Sequence, residues 1–166
     1  MELTDAQKII VEQDGNCVVL AAPGSGKTLV ISEKIRRILL GEKLRDYQGV
    51  IAISYTRKAA KNLKDRVFAS IPFDRNSFFG TIDGFCFSEL IFPFLSHIWG
   101  GTQNELSVKS LTDLDEDNQN LFLWIKDKRD LCSITEEEWG MLQELYYEEG
   151  FVLVETLGLL ACKIIK

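Results

Sequence analysis

The chain has 166 residues, 46% of them hydrophobic, and a formal net charge of −6. That length fits one ordinary domain, or one domain with an insertion, and the apolar share suffices for a buried core. The acidic balance argues against a generally basic nucleic-acid binder. The acidic start "MELTDAQ" argues against a signal peptide, and no apolar run reaches the roughly 18 residues of a membrane span.

The charge is unevenly placed. Residues 1–100 carry 13 Lys and Arg against 11 Asp and Glu, whereas residues 101–166 carry 6 against 14. Any nucleic-acid contact is therefore expected in the first hundred residues. Cys17, Cys86, Cys132 and Cys162 lie at least 30 residues apart and have no metal-ligand spacing. They read as buried thiols of a protein in the reducing cytoplasm.

In chain order, Thr4-x-x-Gln7 has the form of a capping box opening a helix. "CVVLAA" (17–22) reads as a short apolar strand, and a helical pattern runs on to about Leu40. Between them, Ala21-Ala22-Pro23-Gly24-Ser25-Gly26-Lys27-Thr28 matches the phosphate-binding loop, with alanine in the first glycine position. Gly24 and Gly26 permit the backbone angles that turn successive N–H groups inward as an anion nest. The following helix adds its dipole, Lys27 can reach the β and γ phosphates, and the Thr28 hydroxyl can ligate Mg²⁺. The alternative is an ordinary glycine turn before a helix.

A second strand-like run, "GVIAISY" (49–55), precedes the helical "RKAAKNLKDRVFAS". There Arg57, Lys58, Lys61, Lys64 and Arg66 oppose a single acid, Asp65, over ten residues. The run suits phosphate contact; the alternative is a solvated helix face. A third run, "SFFGTI" (77–82), precedes "DGFCFSELIFPFLSHIW", with Asp83 as a candidate cap. Strand–helix alternation of this kind predicts a parallel sheet covered by helices, with right-handed connections.

From about Gly100 the text turns acidic. Two amphipathic helices are expected, with Thr112 and Thr135 as their caps. The closing "FVLVETLGLLACKIIK" opens like a strand, but from Leu153 onward it also suits a buried helix.

"LTDAQ" (3–7), the loop, "AISYTRKAAKNLKDRV" (52–67) and "FGTIDGF" (79–85) resemble, in order and spacing, the glutamine motif and motifs I, Ia and Ib of the UvrD/Rep helicases of superfamily 1. "GTIDGFCFSELIFPF" looks still closer to the UvrD-like helicases of bacterial anti-phage systems such as Gabija. The resemblance implies a three-layer RecA-like phosphate-loop NTPase domain. Its parallel sheet would hold the strands near 17–22, 49–55 and 77–82, with their carboxyl ends on one edge. Residues 1–100 would form the ATP-binding core, 101–150 an acidic helical insertion, and 151–166 an apolar return to the core.

The resemblance also implies ligands and roles. Mg-ATP would be held by Gln7 at the adenine edge and by Ala22, Pro23, Gly24, Ser25, Gly26, Lys27 and Thr28 at the phosphates. Lys27 and Thr28 would serve the chemistry, and Thr28 the metal. Single-stranded DNA would stack on Tyr55 and be gripped by Thr56, Arg57, Lys58 and Thr81. Ile82 and Asp83 depart from the family's aromatic–histidine pair, and Leu29 stands where many relatives carry arginine, which loosens the adenine expectation. The Asp-Glu-x-Gln-Asp segment that would hold Mg²⁺ and orient water is absent, and Glu155 is its only imitation. The chain is thus expected to be the N-terminal piece of a larger 3′–5′ helicase, inert alone. The alternative is a nucleotide-gated module acting with a protein partner such as a nuclease. A small-molecule kinase would explain the loop but neither "SYTRKAA" nor "GTIDGF".

Overall fold

The computed structural model describes residues 3–41, 44–71, 76–102, 105–128 and 133–165. Cys132 falls outside them. The chain forms two compact units, Met1–Thr81 and Ile82–Lys166.

In the first unit, α1 (Asp5–Glu12) starts at the expected capping box: Thr4 Oγ1 accepts from the Gln7 amide, and the Gln7 side chain accepts from the Thr4 amide. Helix α2 (Lys27–Leu40) begins straight from the glycine-rich loop and buries Val30, Ser32, Ile35 and Leu39. Strand β1 (Ile51–Ile53) leads through Thr56, an N-cap, into α3 (Arg57–Phe68). Strand β2 (Phe78–Gly80) pairs with β1 in parallel, Ile51 opposite Phe78 and Ile53 opposite Gly80. A small core of Ile35, Leu39, Ala52, Val67 and Ile71 joins the sheet to α2 and α3.

Helix α2 is the hub of this unit, because its cations cap both neighbouring helices. Arg36 donates to the carbonyls of Arg66 and Val67 at the end of α3 and pairs with Glu33. Lys34 and Arg37 donate to the last carbonyls of α1. Such contacts satisfy carbonyls that a helix leaves unpaired at its end.

The expected first strand does not form. Residues 17–22 join no sheet, and Val18 and Leu20 are 89% and 93% exposed. A run that is apolar at every position is stable as a strand only when both its faces are covered and a neighbour accepts its ladder bonds. No described strand lies beside it, and the sheet it was expected to enter has two strands.

In the second unit, α4 (Ile82–Phe85) continues through a π-helical turn, Cys86–Ile91, into α5 (Phe92–Trp99). Asp83 lies in the first turn of α4 and not at its cap. Strand β3 (Ser107–Lys109) pairs in parallel with β4 (Phe151–Leu153), whose three residues are all buried. The first acidic helix shrinks to α6 (Glu116–Leu121), capped by Asp115. Thr112 sits inside a short 3-10 turn capped by Ser110, whose hydroxyl accepts from the Thr112 amide. Thr135 does cap α7 (Glu136–Glu144), reciprocally with Glu138. The final segment resolves into β4, a 3-10 turn and α8 (Leu157–Ile165).

The core of this unit contains Ile91, Leu95, Phe122, Leu142, Phe151, Leu153 and Leu160 around an aromatic group. There Trp99 lies edge-on to Trp139, and the Tyr146 hydroxyl donates to the Gly100 carbonyl at 2.9 Å. Of the described cysteines only Cys86 is buried. Cys17 belongs to the unpaired run, and Cys162 lies on the outer side of α8. Among the described residues no helix is long and apolar enough to cross a membrane.

Candidate functional site

The loop between residues 21 and 28 is shaped by two glycines in the left-handed region, Gly24 at φ 76° and Gly26 at φ 85°. The Ser25 amide closes a turn onto the Ala22 carbonyl at 3.3 Å. Gly26 is also the N-cap of α2, and no acid stands in the first turn of that helix. Lys27 Nζ donates to the carbonyls of Ala21 and Ala22 at 3.0 and 2.6 Å, so its charge rests against the loop. Thr28 is exposed beside it. Free amides at a helix start, a flanking ammonium and a hydroxyl one residue on form a donor set that suits a phosphate chain and its magnesium ion.

Gln7 reaches this loop from α1. Its Nε2 donates to the Ser25 carbonyl at 3.0 Å while its Oε1 accepts from Thr4 N at 3.0 Å. A Cβ on Gly26 would lie 2.9 Å from that Nε2, so a side chain there would displace the Gln7 amide, while φ itself favours glycine. The amide keeps one N–H and one lone pair for another partner. A cleft of about 440 Å³ opens here, lined by Gln7 and Ile10, by Val19 and Ala21, and by Lys27 and Lys34.

A second cleft, of about 360 Å³, is lined by Thr28, Thr56, Lys58, Ala59, Asn62 and Arg66. It brings the end of the phosphate loop and the start of α3 to one side of the first unit. The parallel pairing of β1 with β2 is the reason Thr56 and Thr81 share an edge: each follows the carboxyl end of its strand. Ser54 N donates to the Gly80 carbonyl at 2.9 Å, which sets the two turns side by side. Thr56 Oγ1 caps α3 by accepting from Ala59 N at 3.2 Å. Tyr55 is 99% exposed, a ring held clear of the protein surface. Arg57 and Lys58 project from the first turn of α3, and both are exposed.

Glu155 has a different place. Its carboxylate accepts from Ser110 Oγ at 2.9 Å and from Leu111 N at 3.1 Å, tying the end of β4 to the 110–113 turn. Its hydrogen bonds explain its position without any metal.

Sequence reasoning missed Lys34 and Arg37. The signal was present: α1 has no basic residue in its own last turn, and two cations stand one turn apart on the helix after the loop.

The sequence model of the UvrD/REP helicase N-terminal domain matches residues 3–146. The chain is 38% identical over 91 residues to the Gabija protein GajB of Bacillus cereus (strain VD045), which covers 55% of this chain and 17% of that protein. It is 43% identical over 70 residues to the ATP-dependent DNA helicase Rep of Escherichia coli (strain K12), covering 40% and 10%. Over 139 residues it is 28% identical to the ATP-dependent DNA helicase PcrA of Bacillus subtilis (strain 168), covering 83% and 16%. The chain thus spans less than a fifth of the length of each of these relatives. A family match over most of the chain, running through both the loop and the β1–α3 turn, has one meaning: the chain belongs to the UvrD/REP helicase N-terminal domain family, whose fold class is the phosphate-loop NTPase.

Proposed function

We propose that this chain is the Mg-ATP-binding and single-stranded-DNA-binding N-terminal part of a 3′–5′ DNA helicase. The observation that carries the reading is the second cleft, lined by Thr28 of the loop together with Thr56 and Lys58 of the α3 turn. A phosphate held by the loop and a strand held at the α3 turn would then be close enough for each to influence the other.

In this reading residues 22–28 cradle the triphosphate, Thr28 ligates Mg²⁺ and Gln7 meets the adenine edge. Tyr55 stacks on a base, and Thr56, Arg57, Lys58 and Thr81 take backbone phosphates. ATP bound with Mg²⁺ supplies the free energy of translocation. The chain's own residues bind and orient the nucleotide, while the water-positioning carboxylates and the transition-state arginine come from elsewhere in the helicase. Residues 1–100 belong to a three-layer RecA-like core, with 101–150 as its acidic insertion and 151–166 returning to it. The protein works in the cytoplasm. DNA-stimulated ATP turnover by the intact helicase, abolished by Lys27→Ala, tests this.

A second reading is a nucleotide-gated module in a nuclease–helicase complex. The similarity to a Gabija protein and the acidic balance of residues 101–166 favour it. ATP turnover that ignores DNA but responds to a protein partner would select it.

A further inference from the structure

Helix α1 is held at both ends by the helix that carries the loop. At its start, Gln7 donates to the Ser25 carbonyl. At its end, four successive carbonyls are taken by two cations of α2. Lys34 Nζ donates to Ile10 O at 3.0 Å and to Gln13 O, and Arg37 Nη1 donates to Val11 O at 2.9 Å and Glu12 O at 2.8 Å. Arg37 also pairs with Asp14 at 3.5 Å. The remaining carbonyl of that turn, Ile9 O, takes the Gln13 amide. An eight-residue helix is too short to be stable alone, so its placement comes from such contacts.

We propose that Lys34 and Arg37 are positioning residues for base recognition: by clamping the carboxyl end of α1 onto α2, they hold the Gln7 amide where it can read adenine. This rests on the nucleotide reading above. The leverage is geometric. From Gln7 to Gln13 the helix rises about 9 Å, so a tilt of about 10° at the clamp moves Gln7 by about 1.5 Å. A hydrogen bond made at 3.0 Å does not survive that displacement. The phosphate contacts of Lys27 and Thr28 follow such a tilt least, because both residues lie in α2 itself and Gly26 is its N-cap. Loss of the clamp should therefore weaken recognition of the base and leave the grip on phosphate intact. The free N–H and lone pair of Gln7 match N7 and the 6-amino group of adenine, whereas guanine presents two acceptors there.

The test is equilibrium binding of three probes with Mg²⁺: a non-hydrolysable ATP analogue, the matching GTP analogue and inorganic tripolyphosphate. The chain is compared with Lys34→Met/Arg37→Met and with the conservative Lys34→Arg/Arg37→Lys. The methionine pair should lower affinity for the ATP analogue about tenfold, the lower range for one bidentate amide–adenine pair. Affinity for the GTP analogue and tripolyphosphate should stay within about twofold, and the conservative pair should keep the ATP preference. The single methionine variants carry the same test if the double variant does not melt cooperatively. An equal fall for all three probes would reduce the clamp to a structural contact, and an unchanged ATP preference would remove its role. A parent chain that binds none of the probes would overturn the nucleotide reading itself, and the clamp's role with it.

Discussion

Gly26→Ala probes the packing of α1 against the loop. The residue sits at φ 85°, and an added Cβ would come within 2.9 Å of Gln7 Nε2. Gly24 offers an internal control, because it has φ 76° with open space around the added Cβ. Placing alanine in the left-handed region costs about 1–2 kcal/mol at either site. At Gly26 the Gln7 amide must also move, forfeiting its bond to Ser25, which adds about 0.5–1.5 kcal/mol. Gly26→Ala should therefore destabilise by about 1.5–3.5 kcal/mol and Gly24→Ala by about 1–2 kcal/mol. In a Gln7→Ala background the two should become equal. Trp99, Trp124 and Trp139 all lie in the second unit, so fluorescence does not report this change. Native-state hydrogen exchange of α2 amides does. A Gly26→Ala cost no greater than that of Gly24→Ala, or one that persists undiminished without Gln7, would refute the reasoning.

Replacing Arg57, Lys58 and Lys61 with glutamate should weaken single-stranded DNA binding by the intact protein. Its salt slope should fall by about 0.7 per phosphate contact removed, whereas an unchanged slope would leave α3 as a solvated face. Glu155→Ala should leave nucleotide binding unaltered and destabilise the second unit by about 1 kcal/mol through loss of the 110–113 turn, as read by tryptophan fluorescence in urea. Acid should weaken the same unit. The Thr135 amide, helped by Lys128, holds the Glu138 carboxyl below its usual range, and the Asn118 amide does the same for Asp115. Depressed folded-state values give stability that is present above the ordinary carboxylate range and lost as pH falls below it. The urea midpoint should drop below about pH 4 and flatten in Glu138→Gln; a midpoint independent of pH there would contradict this.

The helices of the first unit were legible in the sequence because their signals are local. Thr4 with Gln7, Gly26 before Lys27, and Thr56 before Arg57 each mark a start that the structure keeps. The two runs at 49–55 and 77–82 found each other because both could pair in parallel beside α3. The run at 17–22 shows the limit of the method. Apolar sequence specifies a wish for burial, but a strand needs a neighbour, and none of the described strands serves. Strand β3 escaped notice since "SVK" has no apolar period, and its pairing depends on β4, more than forty residues away. At the site, motif spacing found the loop and the α3 turn. It could not find the bond from Gln7 to Ser25, and although the cations Lys34 and Arg37 were visible, which carbonyls they hold depends on how α1 packs on α2.

Binding of a non-hydrolysable ATP analogue with Mg²⁺ to the chain and to Lys27→Ala is the most direct measurement. Each charge-assisted bond from Lys27 to phosphate contributes about 1.5–3 kcal/mol, offset in part by the two carbonyl bonds it gives up. The loss should therefore be about tenfold or more, with the fold intact since Lys27 is exposed. Equal affinity in the two proteins would contradict the claim that this loop is the nucleotide site.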